Sequence, residues 1–235
     1  MKRLRWLLLM LPAAAVLFMV STTAAAPKPL AFADARLIIE VNATDGDAGL
    51  QIFADAEPWK ELAIFRPDGQ QIIDFKTAGD VNNYGLTELF SESSEPPFTE
   101  FPLEQFKALF PEGTYRFTGT TITGGTLTGT ATLSHDIPNG PEILFPEDGA
   151  RVPRDQAVIE WTAGSQPPGV EIVGYQVVVT RDNPIRVFSV DLPGTVTSVT
   201  VPEEFLERNT EYSLEVLAIE ASGNQTLTEI SFVAR

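Results

Sequence analysis

Apolar and polar residues alternate with a period of two along most of this chain, in short runs separated by Gly, Pro, Asn and Asp. That period places successive side chains on opposite faces of an extended backbone, so each run reads as a half-buried strand. Residues 36–42 put Leu37, Ile39 and Val41 on one face, and residues 48–55 do the same with Leu50, Ile52 and Ala54. The Asp-Gly turn at 43–47 between them predicts a hairpin. A second hairpin is expected from 61–66 and 71–75 around Pro67-Asp68-Gly69, where Pro presets the turn and Gly accepts a positive φ. Residues 114–135 return to strands. A three-residue turn at 123–125 would pair Tyr115 with Leu133 and Phe117 with Ala131 on the inner face. The outer face then carries Arg116 with Thr132, Thr118 with Thr130 and Thr120 with Thr128, a threonine ladder facing solvent.

The alternation breaks at 82–113. Leu86, Leu89 and Phe90 have helical spacing, as do Leu103, Phe106, Leu109 and Phe110 between Pro102 and Pro111. A Pro- and acid-rich loop at 91–100 separates the two groups. A helical insertion that caps one end of the first core is therefore expected over about 82–113. The Pro/Gly-rich stretch 136–153 marks a linker, with a boundary near Asn139. The expected organisation is a signal peptide at 1–25, a β-rich domain at 30–138 and a second domain at 139–235.

In the second half, Ala157, Ile159 and Trp161 share one face of a strand, Tyr175 sits in Val-Gly-Tyr-Gln-Val-Val-Val, and 206–223 alternates throughout. Leu206, Thr210, Tyr212, Val216 and Ala218 follow the pattern Leu-x-x-x-Thr-x-Tyr-x-x-x-Val-x-Ala. With Trp161 and Tyr175 upstream, residues 141–235 resemble a fibronectin type III domain. The resemblance implies an immunoglobulin-like sandwich with Trp161 at its centre and Tyr212 forming a tyrosine corner, its ring buried and its hydroxyl bonded to upstream backbone. Arg208 stands where the family usually has Pro, so a looser corner is expected. The whole chain then reads as mainly β, with two β-sandwich-like domains, the first carrying a short helical insertion. No family resemblance covers the first domain.

Composition narrows the setting. Residues 1–5 are basic, 6–20 form an apolar run interrupted by Pro12, and 21–26 are small and polar, the three parts of a secretory signal. Fifteen apolar residues are short for a membrane span, which needs about 18 or more, so no stable membrane insertion is expected after cleavage. The destination is secreted or periplasmic. Loss of Lys2, Arg3 and Arg5 with the leader takes the net charge from −16 to −19. Such a surface repels nucleic acid and anionic lipid. The chain has no Cys, which removes disulfides, thiolate nucleophiles and cysteine metal sites.

Little chemistry is legible. Asp45 and Asp47 in the 42–47 turn are the candidate metal ligands, and calcium is the cation that such oxygens favour. An EF-hand is excluded because Ala54 and Ala56 stand where its bidentate Glu belongs. Other oxygens, from Glu40 or the linker acids, would have to complete the shell. Trp59, beside Pro58 and Lys60, is the candidate sugar-stacking residue if it is exposed. His135 is the only histidine, and its neighbours on a strand point to opposite faces, against a catalytic triad. No catalytic residue and no cofactor is assigned. The expected function is a noncatalytic exported binding or interaction module with a protein or glycan partner. The alternatives are a carbohydrate-binding or calcium-dependent adhesion or matrix protein, and an accessory domain pair of an envelope enzyme system.

Overall fold

Residues 28–235 are described by the computed structural model, and the signal peptide expected at 1–25 lies outside them. A two-residue strand β1 (Leu30–Ala31) leads into β2 (Asp34–Asn42), which pairs antiparallel with the first half of a long strand, β3 (Asp47–Phe65). The hairpin expected from the alternation forms with Val41 opposite Ala48 and Asn42 opposite Asp47. The second half of β3 pairs with β4 (Gln71–Lys76) through the turn at Pro67-Asp68-Gly69. Pairing irregularities between Asp55 and Glu61 mark where β3 leaves one layer and enters the other. Bulges bend and twist a strand in this way.

The helical insertion needs correcting. Only α1 (Val81–Tyr84) and α2 (Leu103–Leu109) are helical, and Leu86, Leu89 and Phe90 belong to a strand, β5 (Leu86–Glu92). That strand pairs with the first half of β3, with Phe90 opposite Phe53 and Leu89 opposite Ala54. Three apolar residues at helical spacing are too few to outweigh a free strand edge and an aromatic partner, the two rings standing 4.9 Å apart. Helix α2 does cap the core, through the buried Phe106. The hairpin of β6 (Gly113–Thr121) and β7 (Thr126–Leu133) keeps its expected faces but shifts by two residues, placing Tyr115 opposite Ala131 and Thr118 opposite Thr128. A shift of two preserves the side-chain alternation, so the pattern alone could not choose between these registers. The Thr121 amide donates to the Gly125 carbonyl at 2.9 Å and the Gly125 amide to Thr121 Oγ1 at 2.8 Å, which closes the turn around 122–124, one residue earlier than expected.

In the second half, β8 (Glu142–Phe145), β10 (Val158–Thr162) and β13 (Ser198–Thr200) form one sheet, while the short β9 (Ala150–Val152) runs beside the last strand. The opposing sheet is β12 (Ile185–Pro193), β11 (Ile172–Asp182), β14 (Thr210–Glu220) and β15 (Gln225–Ala234). Each half has its own core. The first gathers residues of β2, β3, β6, β7 and α2, and the second gathers Trp161, Tyr175, Tyr212, Val216 and their neighbours.

The alternation does not announce what joins them. β15 pairs in parallel with β2, with Gln225 opposite Glu40 and Thr226 opposite Val41, so a single 12-stranded sheet runs through both halves. The side chain of Asn224, 1% exposed, adds a further rung just before β15 begins. It accepts from the Ile39 amide at 2.8 Å and donates to the Ser134 and Asp136 carbonyls at 3.0 Å each. Thr226 donates to the Pro138 carbonyl at 2.6 Å, and Thr44 bonds the backbone of Glu229. Backbone groups left open where one half ends are thus satisfied by the other.

Candidate functional site

The candidate site lies on the outer face of the shared sheet, beside the seam. Glu40 on β2 stands opposite Gly49 on β3, which has no side chain to fill the space. Glu95, in the loop after β5, lies in that space: a Cβ on Gly49 would come within 2.6 Å of its carboxylate oxygen. Glu92 arrives from β5, opposite Gln51, whose amide donates to it at 2.9 Å. Carboxylate oxygens of Glu40, Glu92 and Glu95 all lie within 4.8 Å of one another. Oxygens bound to one calcium at about 2.3–2.6 Å must lie within roughly 5 Å of each other, so the spacing suits a single hard cation.

The electrostatics agree. Burial, then the charges of Glu92, Asp47 and Glu40, push the Glu95 carboxyl up to about 7. Burial raises Glu40 as well, against the lowering effect of a hydrogen bond from Gln225. Asp47 is raised by burial and by Asp45, and its Oδ1 is buried with no hydrogen-bond partner. Among the described residues, none of Glu40, Asp47, Glu92 and Glu95 has a cationic side chain at ion-pair distance. Across the seam, Glu215 is raised by burial, by Glu229 and by Glu40.

Of the two expected metal ligands, only Asp47 is drawn towards this group. Asp45 is exposed and serves its own turn, accepting from Asn42 Nδ2 at 3.3 Å while Asn42 Oδ1 accepts from the Thr44 and Asp45 amides. The expectation for Trp59 is overturned. It is 0% exposed at the corner of β3, edge-on to Phe75, so neither ring face is open to a sugar. His135 is held by the Phe110 carbonyl at 2.8 Å from Nε2 and by Glu112 on its backbone amide, away from the carboxylate group. Glu92 and Glu95 were missed in the sequence because a helix was expected immediately before them. The signal available was the acid-rich loop at 91–100.

Below the seam in the second half, Trp161 and Tyr175 meet edge-on at 5.4 Å, both buried. The Glu207 amide donates to the Tyr212 hydroxyl at 2.8 Å, and that hydroxyl donates to the Phe205 carbonyl at 3.5 Å. This is the tyrosine corner expected at the start of β14. The family model of the fibronectin type III domain matches residues 149–234. Residues 149–234 are a fibronectin type III domain. No curated protein sequence matches the chain. Among solved structures the chain is similar to a two fibronectin type-III domain segment from chicken tenascin, at 11% identity and a TM-score of 0.28, over 85% of this chain and 96% of that one. Fibronectin type III domains are common noncatalytic interaction modules, many of them extracellular. In this one the connection 221–224 between the last two strands packs against the first half, with Asn224 and, at the start of β15, Thr226 bonded to it. Among the described residues no helix is long and apolar enough to cross a membrane.

Proposed function

We propose that this chain is a noncatalytic exported interaction module that presents the outer face of the shared sheet to a protein partner. The observation that carries this reading is the groove of about 430 Å³ on that face. It is lined from the first half by Arg36, Glu40 and Phe53 and from the fibronectin type III domain by Gln176, Asp191 and Glu215. Two sandwiches that share a sheet make one continuous surface, and their acidic side chains favour a basic partner. The test is capture from the envelope fraction of the native host, comparing the wild type with a Glu92→Lys/Asp191→Lys variant that retains its circular dichroism. Capture by the wild type and loss in the variant support the reading. Equal capture by both removes it.

A second reading is favoured by the convergence of Glu40, Glu92 and Glu95 with Asp47 nearby. In this reading the group binds calcium, and the cation offsets the carboxylate repulsion beside the seam. Calcium should raise the melting temperature at pH 8, and Glu95→Gln should remove most of that shift. A melting temperature indifferent to excess calcium would exclude it.

A further inference from the structure

We propose that the cleft on the other side of the seam is a binding site for a small apolar carboxylate. A cavity of about 540 Å³ opens between the halves, within the size range of small-molecule sites and at the kind of junction where they concentrate. Its apolar walls come from both sides: Phe98 from the segment before α2, Leu103 at the start of α2, Ile137 from the linker, and Pro167, Pro168 and Val170 from the fibronectin type III domain.

The walls are held in place before any ligand arrives. Phe98 is fixed by its amide, which donates to the Gly46 carbonyl at 2.7 Å. The linker is pinned by Asn224 and Thr226 on one side. On the other, the Asn139 amide donates to Gln166 Oε1 at 2.9 Å and Asn139 Nδ2 to the Ser165 carbonyl at 2.6 Å. A preformed cleft spares a ligand the cost of ordering its site.

Two charged side chains line the cleft, the exposed Asp136 on the linker and Lys107 on α2, with no ion pair between them, and the charge that selects the ligand is the more buried Lys107. Its side chain is only 24% exposed, and its one ion-pair partner among the described residues, Glu104, is 85% exposed at 3.4 Å. Water screens so exposed a counter-ion, so the ammonium is weakly compensated for a charge that is largely withdrawn from solvent. A carboxylate at Lys107 with an apolar body along Phe98, the prolines and Val170 answers both features.

The test is isothermal titration calorimetry of the full chain with phenylbutyrate and with phenylbutyramide, its uncharged counterpart, alongside amide chemical shifts. The wild type should bind the acid about tenfold more tightly than the amide, with shifts centred on Phe98 and Val170. Lys107→Met should bring the acid down to the affinity of the amide, and Val170→Trp, which fills the cleft, should abolish binding of both. Absence of heat and of shifts with the wild type overturns the proposal. So does equal affinity for acid and amide, or undiminished binding in Val170→Trp.

Discussion

Asn224 is the residue on which the join between the halves turns. It matches a glycosylation acceptor in sequence, Asn-Gln-Thr, yet its amide is buried and fully engaged with Ile39, Ser134 and Asp136. Asn224→Ala would orphan the Ile39 amide and two carbonyls at once. At roughly 1–3 kcal/mol for each buried group left without a partner, a loss of about 3 kcal/mol is expected. Denaturant unfolding measures the loss, and faster hydrogen exchange at Ile39 locates it. An unchanged midpoint would mean that the rung contributes nothing. The core residues Trp161, Tyr175 and Tyr212 were legible in the sequence because burial and alternation coincide there. Trp59 was not, because its neighbours Pro58 and Lys60 are polar or irregular while the strand that buries it bends.

At the scale of elements, local pattern found the hairpins and failed where pairing is long-range. Strand β5 is recognisable only once the free edge of β3 is known, and with it Glu92 and the approach of Glu95 to Gly49. The β6–β7 register was underdetermined for the reason that shifts of two keep the same faces. The carboxylate group formed by these pairings makes stability depend on pH. Glu40, Asp47, Glu95 and Glu215 all have folded pKa values raised above the ordinary carboxylate range. A raised carboxyl contributes stability that is complete below the unfolded pKa, about 4.3 for Glu, and lost as pH rises through the folded one. For Glu95 that loss runs from the unfolded value upward and is complete once pH passes about 7. Glu207, lowered by its hydrogen bond to Arg181, acts in the opposite sense, but only where pH falls below the ordinary carboxylate range. Without added cations the melting temperature should therefore be higher at pH 5 than at pH 8, and Glu95→Gln should flatten the slope. A melting temperature that rises from pH 5 to pH 8 would contradict the arrangement.

For the whole molecule, the consequence of the seam is mechanical. Two sandwiches on a Pro/Gly-rich linker would ordinarily move independently. Here the linker is held by Asn224 and Thr226, and β2 and β15 share backbone pairing, so the outer face acts as one surface. That unity underlies both the groove and the cleft. The two sandwiches could be read from the chain, but the sheet that joins them could not, because parallel pairing between strands about 185 residues apart leaves no local signal. Backbone amide NMR relaxation on the full chain tests it most directly. Amides of β3 and β11 should report one common overall tumbling time, that of a single body carrying both halves. Two distinct and shorter times, one for each half, would contradict the shared sheet and the interaction surface built on it.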